Sequence, residues 1–243
     1  MPTKDWNREA WGREHTWEEG GDEWSGMAAH CKVPYPEWKQ GLIEAFLLPY
    51  IGPERDVVEI APGHGRWSET IIPLSRSVSL VDLNPECLQA CKERFADASN
   101  VDYVQTDGSS IPVPDASADF VWSFDSFVHI DPEDVFAYIR ELARVLRPGG
   151  FAVIHHADKT DAGLALAPKL ADKGKPGKVA TRVVAQHLLR GDGNRSNLNG
   201  RMVAEEAERA GLRIAQQTDR WGPGGRSTVT RYHDVITTFH QPR

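Results

Sequence analysis

The sequence predicts an α/β fold: a doubly wound, mostly parallel seven-stranded sheet, with an N-terminal helical cap and an insertion after the fifth strand. Three observations support this prediction. Short β-branched runs alternate with segments of helical periodicity between residues 56 and 157. A turn that contains two glycines joins the first of these strands to the first helix. One further helix pattern and two strand patterns follow towards the C-terminus.

The elements are expected in the following order. Five strands are predicted at residues 56–60, 77–83, 101–107, 118–126 and 151–157. Helices are predicted between them at residues 66–75, 85–96 and 132–146. Asn84 stands in the capping position of the second helix, and RPGG ends the third. RMVAEEAERAGL predicts a closing helix that ends at Gly211, and RIAQQTDRW and HDVITTFHQ predict the last two strands.

The length of 243 residues predicts a single domain around one core. Its expected parts are an N-terminal cap or lid, a ligand-binding core, a locally basic insertion, and a closing helix with two strands, at residues 1–50, 51–157, 158–200 and 201–243. Five of the eight tryptophans lie in the first part, which favours a lid over the site; coverage of the sheet edge is the alternative. The insertion, partly helical near residues 179–189, fits a mobile loop and an active-site lid equally well.

Charge and cysteine content narrow the function classes. A formal net charge of −7 disfavours a nucleic-acid partner, because such binding depends on neutralising phosphates. Three cysteines without a CxxC pair, and an N-terminus without a signal-peptide pattern or spanning helix, predict a reduced, soluble, cytoplasmic protein without a membrane role. Cys87 and Cys91 are four residues apart but lack further ligands at useful spacing, so no metal is expected. A homodimer is compatible with the sequence, which leaves the oligomeric state open.

The stretch VVEIAPGHGRWSE, residues 57–69, contains the glycine turn. A dinucleotide site requires G-x-G-x-x-G, and the third glycine is absent in either alignment of this turn; the G-K-S/T of a P-loop is absent too. Glu59 precedes the turn. A carboxylate there repels phosphate but suits a ligand that carries an amino group and a positively charged sulfur. Charge complementarity therefore favours S-adenosylmethionine.

Four segments together resemble the class I, Rossmann-like S-adenosylmethionine-dependent methyltransferases: EIAPGHGRWSE, LVDLNPECLQAC, TDGSSIPVPDASADFVWSFDSFVHID and LRPGGFAVIHHAD. The similarity covers about residues 56–157, and the GDEWS, SFDS and HH motifs are similar to those of bacterial enzymes that act on small molecules. One departure is that Ala61 takes the place of the usual first glycine of the loop. The resemblance implies a methyltransferase of secondary metabolism or glycan decoration.

The resemblance also implies a set of cofactor-binding residues. The loop from Ala61 to Gly65 and Glu59 are expected to hold the amino acid part of the cofactor. Asp82 is expected to accept hydrogen bonds from both ribose hydroxyls. The adenine and methionine parts are expected to contact residues that follow the second, third and fourth strands. The full expected set is Glu59, Ala61, Gly63, Gly65, Asp82, Leu83, Asp107, Gly108, Ser109, Phe124 and Trp24.

The methyl acceptor is expected to need a base. Methyl transfer is an in-line displacement, and a hydroxyl acceptor must also lose a proton, for which histidine is well suited. His155 and His156 are adjacent on the fifth strand, so alternation sends them to opposite faces and at most one faces the pocket. The expected catalytic residues are His129 as first choice for the base, Asp125 to orient the histidine or the acceptor, and His156. A purely structural role for the histidines is the alternative.

The predicted function is methyl transfer from S-adenosylmethionine to a small molecule, first to a hydroxyl oxygen of a natural product or sugar. N-methylation of a heteroaromatic natural product is close behind, because a ring nitrogen needs little base. An NAD-dependent oxidoreductase would also use Asp82 but needs the missing glycine pattern, and a non-catalytic cofactor-binding protein would have no use for His129. A nucleic-acid methyltransferase is disfavoured because no N/D-P-P-Y/F motif follows the fourth strand.

Overall fold

A computed structural model describes residues 3–18, 25–160 and 195–243 of the chain. Strands β1 to β5 span Asp56–Ile60, Ser77–Asp82, Val101–Gln105, Ala118–Ser123 and Leu146–Ala157. Strands β6 to β9 span Arg213–Thr218, Arg220–Trp221, Ser227–Thr228 and Asp234–His240. Seven of them form one sheet in the order β3-β2-β1-β4-β5-β9-β6, and β7 pairs with β8. Strands β1 to β5 run parallel, whereas β9 is antiparallel to β5 and β6, so the predicted fold class is confirmed.

Seven α-helices surround the sheet in the described part of the chain. Helices α1 to α7 span Lys4–Glu9, Ser25–Cys31, Tyr35–Phe46, Ser68–Leu74, Pro85–Arg94, Pro132–Val145 and Gly200–Arg209. A π-helical turn, Ala10–Glu14, continues α1. Asn84 holds the N-cap position of α5 as predicted, but its side chain makes no capping hydrogen bond; Asp131 does cap α6, by accepting from the backbone N–H of Glu133.

The core lies on both faces of the sheet, as alternation along the strands requires. Val57 packs into a cluster with residues of α3 and α4, whereas the adjacent Val58 packs into a cluster with residues of α6 and α7. Trp38 of α3 is fully buried in the first cluster, with its ring centroid 6.1 Å from that of Phe124. Trp38 therefore covers the sheet beneath the loop that follows β4.

The order of the sheet fixes where a ligand can bind. The chain crosses from β1 to β2 on one side and later returns to β4 on the other, so the connections diverge at the carboxyl ends of β1 and β4. Such a switch point leaves a crevice between the loops. Residues 161–194 of the predicted insertion, with its expected helix, lie outside the described residues. Among the helices described, none has the length and apolar character needed to cross a membrane.

Candidate active site

A cavity of about 210 Å³ lies at the carboxyl ends of β1, β2 and β4. It occupies the crevice that the sheet order creates. Seven of the residues predicted for the site contribute to its wall: Ala61, Gly63, Asp82, Leu83, Gly108, Phe124 and Asp125. These seven predicted residues therefore lie together at one cavity, whereas several other predicted residues do not contribute to its wall.

The loop after β1 has an unusual backbone. Ala61, Gly63 and Gly65 all have positive φ, at +56°, +58° and +85°. A Cβ atom on Gly63 would lie 2.6 Å from the ring of Trp17, and one on Gly65 would lie 2.5 Å from the ring of Phe95, so both positions require glycine on steric grounds as well. An L-residue in this conformation costs about 1–2 kcal/mol. Ala61 carries that cost, which explains why glycine is usual there.

Glu59 lies beneath this loop and is only 1% exposed. Its Oε2 accepts a hydrogen bond from the hydroxyl of Ser68 at 2.6 Å, which ties the end of β1 to the start of α4. Burial raises the pKa of Glu59 to about 8 in spite of that hydrogen bond and the nearby charge of Arg66. Its Oε1 is buried without a hydrogen-bond partner among the described residues. Glu59 thus supports the loop and keeps one acceptor unused, one layer behind the cavity wall.

Asp82 ends β2 and contributes to the cavity wall with 4% of its surface exposed. Its Oδ1 accepts the backbone N–H of Asn84 at 2.8 Å, and its Oδ2 accepts that of Gly63 at 3.4 Å. Burial raises the pKa of Asp82 to about 7, against the effect of these backbone hydrogen bonds. A carboxylate has about four acceptor sites, so these backbone donors leave acceptor capacity for a ligand. This arrangement fits the two adjacent hydroxyls of a ribose.

The loops after β2 and β3 contribute Leu83 and Gly108, respectively, to the cavity wall. The carboxylate of Asp107 points into its own loop, where Oδ1 accepts the backbone N–H groups of Ser109 and Ser110 at 2.9 Å each. These hydrogen bonds, first of all that of Ser109, lower the pKa of Asp107 to about 2. Asp107 and Ser109 therefore shape the loop, and Gly108 faces the cavity.

Residues 3–18, which we call the N-terminal strap, cross the mouth of the cavity. The amide of Asn7 donates to the carbonyl of His129 at 2.8 Å, and Nζ of Lys4 lies 3.0 Å from Oδ1 of Asp134 on α6. Trp17 stacks on His64 of the loop after β1, with centroids 4.5 Å apart and planes at 14°. The strap is thereby attached to three sides of the cavity. Trp24, which the sequence placed at the cofactor, lies outside the described residues.

The predicted catalytic residues separate in the structure. Asp125 contributes to the cavity wall. His129 is 8% exposed and packs behind Trp11, with ring centroids 5.1 Å apart. His156 is buried on the face of the sheet opposite to that of its neighbour His155. Its Nε2 lies 2.7 Å from the hydroxyl of Thr237, and burial lowers the pKa of His156 to about 4. Of these three residues, Asp125 is the one that the fold brings to the cavity.

Sequence reasoning missed several residues of the cavity wall. Lys4 and Asn7 come from the strap, Arg66 from the turn before α4, and Tyr138 from α6. Tyr138 is the one with a signal, because it lies on the buried face of a strongly amphipathic helix near the carboxyl end of the sheet. The strap residues carry no such signal, since nothing in their pattern indicates which part of the sheet they cover.

The described residues contain no group of three or more His, Cys, Asp and Glu side chains arranged to hold a metal ion. Cys87 and Cys91 are both buried on α5, and Sγ of Cys91 donates to the carbonyl of Gly63 at 3.2 Å. Burial raises the pKa of both thiols, which keeps them in the neutral form. Cys91 therefore supports the loop after β1, whereas Cys87 contributes to the cavity wall.

Comparison with known proteins identifies the core. Residues 57–150, which hold β1 to β4, α4 to α6 and the start of β5, match the family model described as a methyltransferase domain. The core of the chain therefore contains a methyltransferase domain, and its curated relatives include proteins named as S-adenosylmethionine-dependent methyltransferases. The resemblance found in the sequence is confirmed, and S-adenosylmethionine is the cofactor of the family.

Two curated relatives of this chain illustrate the match. The fatty-acid O-methyltransferase of Mycolicibacterium smegmatis is 35% identical over 98 residues, which are 39% of this chain and 34% of that protein. The ubiquinone/menaquinone biosynthesis C-methyltransferase of Pseudomonas putida is 32% identical over 124 residues, which are 48% of this chain and 46% of that protein. The chain thus spans between about a third and about half of the length of these relatives.

A solved structure extends the likeness over the fold. The N-methyltransferase NodS from Bradyrhizobium japonicum, in complex with S-adenosyl-L-homocysteine, has a TM-score of 0.56 at 13% identity and covers 86% of this chain and 87% of that one. At this identity the likeness concerns the fold alone. The family match and the relatives thus show a methyltransferase domain in the core, and the solved structure shows the same fold.

Proposed function

We propose that this methyltransferase transfers the methyl group of S-adenosylmethionine to a hydroxyl oxygen of a small molecule, such as a natural product or a sugar. The observation that carries the proposal is the pair of carboxylates in one cavity wall, Asp82 after β2 and Asp125 after β4. The first suits the ribose of the cofactor. The second lines the same cavity, and a carboxylate can accept the proton that a hydroxyl acceptor loses.

The cofactor end of the cavity follows from residue chemistry. Asp82 accepts the ribose hydroxyls, and Leu83 and Gly108 border the adenine, for which an apolar side chain and an open backbone are suitable. The left-handed loop from Ala61 to Gly65 directs backbone groups towards the amino acid part, with Glu59 supporting it from behind. Asp107 and Ser109 contribute by fixing the shape of the adenine-side loop.

The acceptor end requires alignment, a proton acceptor and exclusion of water. S-adenosylmethionine, when bound, supplies an electrophilic methyl group on a positively charged sulfur. Asp125 would orient the acceptor hydroxyl and take up the proton that this hydroxyl loses when it is methylated. Trp11, Trp67 and Phe124 line the cavity with aromatic surface, which excludes water and favours a positive charge next to it.

The N-terminal strap serves as the lid of this site. Trp11, His15 and Trp17 form part of the cavity wall, so the strap lies where it can close over a bound ligand. His129 contributes indirectly, because its carbonyl accepts the amide of Asn7 and its ring packs against Trp11. His156, with its hydrogen bond to Thr237, supports the sheet.

A heteroaromatic nitrogen is the second candidate acceptor. The flat aromatic side chains of the wall suit a planar acceptor as well as they suit a phenol. The relatives named above act, by their names, on oxygen and carbon, and the structural neighbour is an N-methyltransferase. The acceptor atom is therefore a matter for experiment.

Two measurements test the proposal in sequence. Calorimetric titration of the purified protein with S-adenosylhomocysteine, with NAD in parallel, should give micromolar binding of the first ligand and none of the second. Binding of NAD alone would overturn the assignment. Incubation with S-adenosylmethionine and a panel of phenols, sugars and heteroaromatic amines, read by mass spectrometry and by NMR of the new methyl group, then identifies the acceptor atom.

The variant Asp125→Asn distinguishes the two acceptor classes. It keeps the shape of the side chain but cannot take up a proton at neutral pH. Methylation of a hydroxyl acceptor should fall strongly while S-adenosylhomocysteine affinity is retained. Methylation of a neutral ring nitrogen, which has no proton to lose, should continue. Full activity of Asp125→Asn on a hydroxyl acceptor would remove this residue from proton transfer.

A further inference from the structure

Asp125 holds a backbone conformation that L-residues rarely adopt. Its φ is +71°, two residues after the end of β4, and it contributes to the cavity wall. Aspartate enters the left-handed region more readily than most residues, but the conformation still has an energetic cost. The surrounding structure must therefore hold Asp125 in place if its side chain is to stay in the site.

His155 on β5 supplies such a restraint. The backbone N–H of Asp125 donates to Nδ1 of His155 at 3.1 Å. The imidazole is fully buried and stacks on the ring of Phe124, with centroids 4.3 Å apart and planes at 17°. Two consecutive residues of the cavity wall, Phe124 and Asp125, thus rest on the same imidazole.

Two charged residues stand behind this imidazole. An accepting Nδ1 requires the neutral ring with its proton on Nε2, and Nε2 lies 3.5 Å from Oδ2 of the fully buried Asp234. Asp234 also pairs with the buried Arg195. Burial acts to raise the pKa of Asp234, but the hydrogen bond with His155 and the charge of Arg195 together hold it below its ordinary value. A charged carboxylate facing Nε2 favours the tautomer that Asp125 requires.

We propose that His155 is a positioning residue of the methyl-transfer site, which holds Asp125 in its left-handed conformation while Asp234 and Arg195 fix the imidazole. This inference rests on the proposed function, in which Phe124 and Asp125 border the methionine part of the cofactor and the acceptor. His155 acts through Asp125 and not on the reacting atoms. In this proposal the site depends on His155, whereas the sequence analysis predicted His129 and His156.

Two substitutions separate the hydrogen bond from the stacking. His155→Asn places an amide oxygen near the position of Nδ1 and so keeps an acceptor for Asp125, but it loses the stack on Phe124. His155→Phe keeps an aromatic ring against Phe124 and has no acceptor. The matched control is His156→Phe, since His156 is the next residue, is equally buried and lies on the other face of the sheet. Affinity for S-adenosylhomocysteine and the melting temperature are measured for all three variants.

His155→Phe should bind S-adenosylhomocysteine at least about tenfold more weakly than the unaltered protein, which corresponds to about 1.4 kcal/mol. His155→Asn and His156→Phe should bind nearly as well as the unaltered protein. Unchanged affinity of His155→Phe, or an equal loss in His155→Asn, would overturn the proposal, because the hydrogen bond to Asp125 would then not matter. If His155→Phe does not fold, His155→Asn decides alone, and a tenfold loss there refutes the inference.

NMR provides a reading that does not depend on ligand binding. In protein labelled with ¹⁵N-aspartate, the amide signal of Asp125 should change its chemical shift in His155→Phe. In His155→Asn and His156→Phe its chemical shift should stay close to that of the unaltered protein. No movement in His155→Phe would contradict the restraint. The two proposals also fail differently: absence of S-adenosylhomocysteine binding by the unaltered protein contradicts the proposed function, whereas normal binding with no effect of His155→Phe contradicts only the positioning role.

Discussion

Substitution of Asp82 tests the cofactor site most directly. The carboxyl group is expected to favour cofactor binding, whereas its charged form disfavours the folded state of the free protein. Asp82 is buried at the end of β2, and it accepts the backbone N–H groups of Gly63 and Asn84. In the proposed complex it also accepts the two ribose hydroxyls. Asp82→Ala removes all four acceptor sites, and Asp82→Asn keeps the shape while removing the charge.

The magnitude for binding follows from the hydrogen bonds lost. A hydrogen bond to a charged group contributes about 1.5–3 kcal/mol, so loss of even one ribose contact weakens binding by at least about tenfold. Calorimetric titration of Asp82→Ala with S-adenosylhomocysteine should show this loss. Asp102→Ala, an exposed carboxylate on β3, is the control and should bind normally. Unchanged affinity of Asp82→Ala would refute the ribose role.

The effect on stability has the opposite sign in the free protein. Because burial raises the pKa of Asp82 to about 7, its protonated form favours the folded state, and this contribution is complete below the unfolded pKa near 4. The contribution is lost as the pH rises through 7, where the buried group becomes charged. Asp82→Asn should therefore melt higher than the unaltered protein at pH 8, by about 2–4 °C for each kcal/mol, and the difference should shrink at pH 4.5. A lower melting temperature at pH 8 would contradict this reasoning.

Three further predictions concern the loop and the strap. Glu59→Gln should raise the melting temperature of the free protein above pH 8 and lose this advantage near pH 4.5, because the pKa of Glu59 is raised to about 8; calorimetry across this range checks the sign. Ala61→Gly should change stability by less than about 1 kcal/mol, since relief of the left-handed strain is offset by greater freedom of the unfolded chain, and a larger gain or loss in denaturant unfolding would contradict the balance. Trp17→Ala should speed dissociation of S-adenosylhomocysteine in stopped-flow measurements, because the stack on His64 is lost; an unchanged rate would argue against the lid.

The parallel core was predictable because strand and helix periods are local properties of the sequence. Alternation in DVVEI and SVSLVD located β1 and β2, so Asp82 was correctly expected at the carboxyl end of a strand. The ends of the elements were less exact. The third and fourth strands end at Gln105 and Ser123, earlier than predicted, because the polar residues that follow turn into loops that border the cavity.

The fifth strand begins earlier than predicted. RPGG was interpreted only as the end of a helix, yet β5 starts at Leu146, which pairs with Ala118 across an irregularity in the register. A propensity argument favours a turn at Pro148 and Gly149, and the partner strand overrides it. Such an override depends on a neighbour remote in sequence and is invisible to local patterns.

The choice among histidines shows a second limit. Period-two alternation correctly separated His155 from His156, but it could not indicate which one faces the site. The role of each histidine depends on its contact with β9, about eighty residues further along the chain. Asp234 contacts the imidazole of His155 and Thr237 contacts that of His156, on opposite faces of the sheet. The strap is a similar case, because its aromatic residues reveal burial without revealing what they cover.

The strap across the cavity mouth bears on how long a ligand stays. Because Lys4, Asn7 and Trp17 attach it to three different loops or helices, these contacts must break together before the cavity opens. Residence time is then set by the chain's own opening and only in part by the ligand's contacts. If the strap is the lid of the proposed methyltransferase site, release of the demethylated cofactor should be the slow step, and the first turnover of each molecule should run ahead of the steady state as a burst of product.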